Sequence, residues 1–147
     1  MHTYSASYYA STREVHEGVM LTLPMFIESV KCGFPSPADG HQEQLELDEY
    51  LIRNPNATFL LRASGESMIG VGIYDGDLLV VDRAEQAVAG RIVIVRIYDE
   101  FTCKRLIRYN DAWWLKAENP TFKAFPIPED AEIFGVVTRN IHDLLKA

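Results

Sequence analysis

Cysteine is scarce in this chain: Cys32 and Cys103 are the only two, far apart and without a partner spacing. That excludes a disulfide framework and a zinc site, and two reduced thiols suit the cytoplasm. Basic residues are outnumbered. Lys plus Arg total 14 against 21 for Asp plus Glu, a formal net charge of −7. A domain holding nucleic acid through its own phosphate-binding surface needs the opposite balance. Long apolar runs are missing too. The longest apolar-leaning uncharged run, Gly18 to Ile27, is about half of a bilayer span and is interrupted by Pro24. The N-terminus has no basic region leading into an apolar core, so no secretory signal and no membrane anchor are expected. What is present is globular: 48% hydrophobic, 11% aromatic and 24% charged residues over 147 positions. This suffices for one domain with a real core.

Along the chain, residues 1–24 read as an arm, rich in Ser and Tyr at its start and without helical or strand period. Met25 to Val30 can form one short ordered segment. From Cys32 to Gly40, Gly33, Pro35, Pro37 and Gly40 forbid a helix or a central strand, which predicts an extended, exposed linker over residues 33–45. Asp48 predicts a capped helix over Glu49 to Arg53, stopped by Asn54-Pro55. Residues 46–147 then turn to β. Short apolar strands are expected at Thr58–Ala63, Leu78–Val81, Arg91–Tyr98, Glu100–Tyr109, Ala112–Lys116 and Ile133–Arg139, with a tight turn at Asp99-Glu100. Ile141–Lys146 suits a last strand or a helical turn. The fold class expected is mostly β, a barrel-like domain behind a flexible N-terminal arm.

One stretch invites chemistry. In Ala63-Ser64-Gly65-Glu66-Ser67-Met68-Ile69-Gly70, Gly65 permits a sharp turn and Ser67 can open a short helix. Its hydroxyl would be exposed, with the backbone N–H groups of Glu66 and Ser67 beside it to receive an oxyanion. Equally, Ser64 and Ser67 can simply cap that helix. A nucleophile needs a base. His2, His16, His41 and His142 have no spacing that recommends them and suit the surface. Lys104 is the other choice. In Phe101-Thr102-Cys103-Lys104-Arg105-Leu106-Ile107, alternation sends Thr102, Lys104 and Leu106 to one face and Cys103, Arg105 and Ile107 to the other. If the sheet is covered on both sides, Lys104 and Arg105 cannot both face water. A desolvated lysine loses charge readily and can accept a proton, as arginine cannot. The alternative is a lysine that snorkels to solvent. His41-Gln42-Glu43 and Asp75, Asp77 and Asp82 lack metal-loop patterns; the aspartates suit turns. Of Trp113 and Trp114, on opposite faces, one is expected in the core and the other at a protein interface.

Taken in order, Cys32-Gly33-Phe34-Pro35-Ser36-Pro37, then Ala63-Ser64-Gly65-Glu66-Ser67-Met68 with Asp75-Gly76-Asp77-Leu78-Leu79-Val80-Val81-Asp82, then Glu100-Phe101-Thr102-Cys103-Lys104-Arg105-Leu106, and finally Phe134-Gly135-Val136-Val137 resemble the UmuD-type branch of the LexA-like self-cleaving proteins. The resemblance runs from about Pro24 to near the C-terminus and leaves residues 1–23 outside. It implies a LexA/signal-peptidase-type β domain with a Ser-Lys dyad: Ser67 as nucleophile, Lys104 as general base. It implies a cleaved bond at Cys32–Gly33, so that residues 1–32 are released. It further implies a homodimer, stimulation by a RecA–single-stranded-DNA filament, and a product that joins a UmuC-type subunit in error-prone translesion synthesis. No metal or cofactor is implied. Cys103 departs from the aliphatic residue expected before the lysine; its side chain is expected to face away from the dyad. The roughly 32 residues before the bond are too few for a helix-turn-helix, so sequence-specific DNA binding is not expected. Two other readings stand beside this one: a non-catalytic interaction module for a polymerase or the filament, and a signal-peptidase-like enzyme acting on other proteins.

Overall fold

The structure, a computed structural model, describes residues 21–35 and 39–146. The beginning of the arm, with His2 and His16, and the Ser36-Pro37-Ala38 centre of the linker lie outside the described residues. The chain divides into two compact units, one ending at Leu51 and one starting at Ile52.

In the first unit, β1 (Thr22–Phe26) pairs antiparallel with β2 (Gln42–Glu46), Thr22 opposite Glu46 and Phe26 opposite Gln42. The Ile27 N–H donates to the His41 carbonyl at 2.9 Å, one step beyond the ladder. The Glu28 carboxylate then receives the Asp39 N–H at 3.0 and 3.1 Å, closing the loop between the strands. The first described strand thus begins at Thr22 rather than Met25, and residues 42–45, expected as linker, are strand. Neither strand alternates, and Pro24 withholds a donor, so the pairing had no local signature. A two-stranded ribbon tolerates Pro24 because, among the described residues, each strand is an edge strand. Helix α1 (Leu47–Leu51) begins two residues before the expected Glu49. Asp48 and Glu49 therefore lie within its first turn, where the helix dipole favours negative charge.

The second unit is built on one seven-stranded antiparallel sheet. Its strands are β3 (Thr58–Arg62), β4 (Leu78–Asp82), β5 (Ile92–Ile97), β6 (Glu100–Tyr109), β7 (Ala112–Lys116), β8 (Phe125–Pro126) and β9 (Glu132–Ile141). They lie in the order β3-β4-β9-β5-β6-β7-β8, so the mostly β expectation holds, with β3 and β8 at the two edges. The strand from Ile133 extends to Ile141, and the terminal segment ends in a 3-10 turn, Leu144–Lys146. Tyr98 (φ 50°) and Asp99 (φ 66°) make the β5–β6 reversal, one residue before the expected turn, and Asn110 (φ 49°) and Asp111 (φ 59°) make the β6–β7 reversal. Two successive left-handed residues match the twist of flanking strands.

Both faces of this sheet are covered. Along β5, Val93 and Val95 join Leu106, Leu115 and Val136 in one cluster, while Ile94 joins Met68, Ile73, Leu79 and Val81 in the other. Gly135 sits where strands crowd: a Cβ there would lie 2.8 Å from Val81 Cγ1. Neither tryptophan of β7 is a core residue. Trp113 is exposed beneath the Arg108 guanidinium (4.7 Å), Trp114 is half-buried edge-on to Tyr109 (5.7 Å), and the buried position is Leu115. Strand alternation predicts opposite faces for the two indoles but cannot say that the apolar neighbour wins the interior. Asp77 stands between the Asp75-Gly76 turn and β4, Asp82 is the last residue of β4 rather than a turn residue, and both are buried. Asp82 accepts from the Ala84 N–H (2.8 Å) and Asn54 Nδ2 (2.7 Å).

Leu115 is fully buried among Val93, Val95 and Leu106. Leu115→Ala should lower unfolding free energy by about 2–5 kcal/mol, seen as a lower urea midpoint with little change in slope.

Candidate active site

Ser67 stands on an irregular turn between β3 and a 3-10 helix, Ile69–Val71. Four anchors hold that turn. Met68, the next residue, is 3% exposed and belongs to the core. Gly65, in the left-handed region at φ 89°, donates its N–H to Asp75 Oδ1 at 2.7 Å. The Glu66 carbonyl accepts from Asn119 Nδ2 at 2.9 Å. The Gly70 N–H donates to the Glu118 carbonyl at 2.7 Å. Burying Met68 commits the chain direction, so the side chain before it in sequence is turned toward the cleft rather than the core.

Lys104 reaches the same place from β6. Its Nζ is 3.3 Å from Ser67 Oγ, 3.0 Å from Thr102 Oγ1 and 3.2 Å from the Cys103 carbonyl. Three acceptors match the three protons of an ammonium; with one proton gone, the lone pair can accept from the serine hydroxyl. Burial holds the Lys104 ammonium below the ordinary lysine range, and the neighbouring Cys103 acts in the other direction. Thr102, two residues before Lys104 on the same strand face, is thereby a direct partner of the amine. Arg105 does not compete for this site: its Nε pairs with Glu118 Oε1 at 2.5 Å, and it also donates to the Gly90 carbonyl. A cleft of about 390 Å³ contains the pair, with Leu61, Ala63, Met68 and Thr102 in its walls.

Cys103 departs from expectation. It lines the same cleft and packs against the Met68 cluster, and burial pushes its thiol up to about 11. Alternation assigns the Cα direction, but two adjacent residues can border one cleft where it reaches the strand. The histidines also sort differently. His41 pairs with Asp39 at 3.4 Å in the first unit. His142, expected at the surface, brings Nδ1 to 2.6 Å from Asp77 Oδ1 and packs against Tyr74 at a tilt of 43°, ring centroids 4.8 Å apart. Among the described residues, Lys104 is the base-capable side chain that meets Ser67. Cys32 and Gly33 belong to the first unit, in an exposed bend; a Cβ on Gly33 would meet nothing within 4 Å.

The Peptidase S24-like family model matches residues 24–138, a span that includes Cys32, Gly33, Ser67 and Lys104. This chain belongs to the Peptidase S24-like family. Protein ImpA of Escherichia coli is 51% identical over 121 residues, 81% of this chain and 83% of ImpA. Protein SamA of Salmonella typhimurium is 47% identical over 127 residues, 86% of this chain and 89% of SamA. Protein MucA of Escherichia coli is 42% identical over 123 residues, 82% of this chain and 84% of MucA. These relatives set the chain in the UmuD-type branch of the S24-like serine peptidases. None of the described helices is long and apolar enough to cross a membrane.

Several residues of this S24-like site were not singled out from sequence. Asn119 and Glu118 lie more than fifty positions from the serine and have no local motif in common with it. The Asp77 network was hidden for the same reason. Asp77 Oδ2 accepts from the Tyr74 N–H (2.9 Å) and Asn140 Nδ2 (2.8 Å), and Asn140 Nδ2 also donates to the Gly72 carbonyl (3.0 Å). Asp77 thus ties the end of β9 to the loop that follows the serine turn. Burial alone would push its carboxyl up, but the hydrogen bonds from Tyr74, His142 and Asn140 hold it below the ordinary carboxylate range. A depressed folded-state value adds stability above the unfolded value and loses it as pH falls through the folded one. Asp77→Asn should cost about 1–3 kcal/mol at neutral pH, because one amide cannot accept from all three donors. In urea titrations from pH 7 to pH 2, the stability difference between the variant and the parent chain should shrink below pH 4.

Proposed function

We propose that this chain is a peptidase that cuts itself between Cys32 and Gly33, with Ser67 as nucleophile and Lys104 as general base. The observation that carries this reading is the 3.3 Å approach of Lys104 Nζ to Ser67 Oγ in a half-buried cleft. In the neutral amine form, Lys104 takes the hydroxyl proton as Ser67 Oγ adds to the Cys32 carbonyl carbon. The developing oxyanion is received by the N–H groups of Glu66 and Ser67, which make no hydrogen bond among the described residues. The tetrahedral intermediate collapses, the Cys32–Gly33 C–N bond breaks, and Lys104 returns its proton to the Gly33 nitrogen. Water then adds to the Cys32–Ser67 ester, giving a proton to Lys104, which hands it on to Ser67 Oγ as the ester breaks.

The substrate belongs to the same chain, so effective concentration stands in for affinity. Its bond is accessible, and Gly33 on the leaving side obstructs nothing. Membership of the UmuD-type branch supports the rest of the reading: a cytoplasmic homodimer acting in the SOS response to DNA damage. A RecA–single-stranded-DNA filament favours the arrangement in which the arm is cut. The shortened product serves a UmuC-type translesion polymerase as an accessory subunit. The net charge of −7 fits a protein that meets DNA through such partners rather than by itself.

Purified chain held at mildly alkaline pH should yield two fragments whose masses correspond to residues 1–32 and 33–147. Ser67→Ala and Lys104→Ala should each remain whole; cutting that persists in both would reject the dyad. Below the folded-state value of Lys104 the rate should rise about tenfold per pH unit, following the neutral amine, and should level off before the ordinary lysine value of 10.5.

A further inference from the structure

Asn119 divides its side chain between two tasks. Its Oδ1 accepts from the Thr121 N–H at 3.1 Å and from Thr121 Oγ1 at 2.9 Å. These donors fix the orientation of the amide, because an oxygen, not an NH2 group, must face them. Nδ2 is therefore turned the other way, and it donates to the Glu66 carbonyl at 2.9 Å. That carbonyl has one other donor among the described residues, the Ile69 N–H at 3.4 Å, a longer and weaker contact. The peptide between Glu66 and Ser67 is planar and trans, so its N–H points opposite to its C=O. Holding the Glu66 oxygen toward Asn119 consequently aims the Ser67 N–H away from it, with no partner among the described residues.

We infer that Asn119 is a positioning residue for the oxyanion-binding N–H of Ser67, acting through the Glu66–Ser67 peptide. The inference rests on the serine-nucleophile reading given above. A peptide plane at an irregular turn can rotate at small cost, because turning its φ and ψ neighbours in opposite senses leaves the chain direction unchanged. A preorganised donor contributes to catalysis only while it stays aimed at the charge that develops. The Asn119 amide supplies the restraint from a loop 53 residues away in sequence, itself held by Thr121.

The two tasks can be separated by substitution. Asn119→Asp keeps the Oδ1 that Thr121 binds and removes the donor to Glu66; Asn119→Ala removes both. Self-cleavage of the full-length chain should slow about 10- to 100-fold in each variant. The pH midpoint of Asn119→Ala should match that of the parent chain, since Lys104 and its partners are untouched. A role confined to shaping the loop predicts instead that Asn119→Asp cuts at the parental rate, and that result overturns the inference. So does a full rate in a folded Asn119→Ala. Should both variants prove too unstable, Thr121→Val, which keeps shape and loses only the hydroxyl donor, should slow cutting about two- to fivefold at an unchanged pH midpoint; an unchanged rate there counts against the inference. A parent chain that does not cut itself would remove the serine reading and this inference together, whereas a normal parent rate with normal variants removes this inference alone.

Discussion

The amine of Lys104 is held where water reaches it poorly, and the chemistry open to this protein depends on that constraint. The cause is architectural. The sheet of the second unit is covered on both faces, so adjacent residues of β6 cannot both send long cationic side chains into bulk solvent. Arg105 resolves the conflict with an ion pair to Glu118. Lys104 resolves it by donating to Ser67, Thr102 and the Cys103 carbonyl. Guanidinium keeps its charge under these conditions and ammonium can lose it. Two neighbouring basic residues therefore take different parts: Arg105 fastens β6 to the flanking loops at Gly90 and Glu118, and Lys104 is able to move a proton.

The serine side of the site depends on a different kind of constraint. A serine on a short turn has little secondary structure to hold it. Here the turn is restrained from four directions: a buried Met68 beneath it, Asp75 on the Gly65 N–H, Asn119 on the Glu66 carbonyl, and Glu118 on the Gly70 N–H. Glu118 serves both halves of the site, its carboxylate pairing with Arg105 beside the lysine and its carbonyl meeting the serine loop. Behind them, Asp77 gathers Tyr74, Asn140 and His142 around one buried carboxylate. Polar groups in such a setting are costly unless each is satisfied. Asp77 meets that condition and so links the serine loop to β9.

The first unit is held differently. Among its described residues none is buried, and Leu23, Met25 and Phe26 are exposed. Backbone pairing and the Glu28–Asp39 closure carry its order. The bend at Cys32–Gly33 is exposed.

Several features follow from the sequence by itself. The β character of residues 58–141 is written in runs of Ile, Val and Leu separated by turn residues, because strand period and turn chemistry act over a few neighbours. Ser67 and Lys104 were legible only as candidates, a serine two residues after a flexible glycine and a lysine inside an apolar strand; the local pattern left a capping serine and a snorkelling lysine open, and it was the family resemblance that paired the two. Other features were decided only by the tertiary structure. The β1–β2 ribbon, with Pro24 in one strand, exists through pairing across a loop that no local rule identifies. Leu115 rather than a tryptophan fills the core, Cys103 borders the cleft instead of turning from it, and His142 finds Asp77. Asn119 comes to Glu66 from across the chain. Contacts between residues distant in sequence depend on strand order and register, and a local pattern of side chains carries neither.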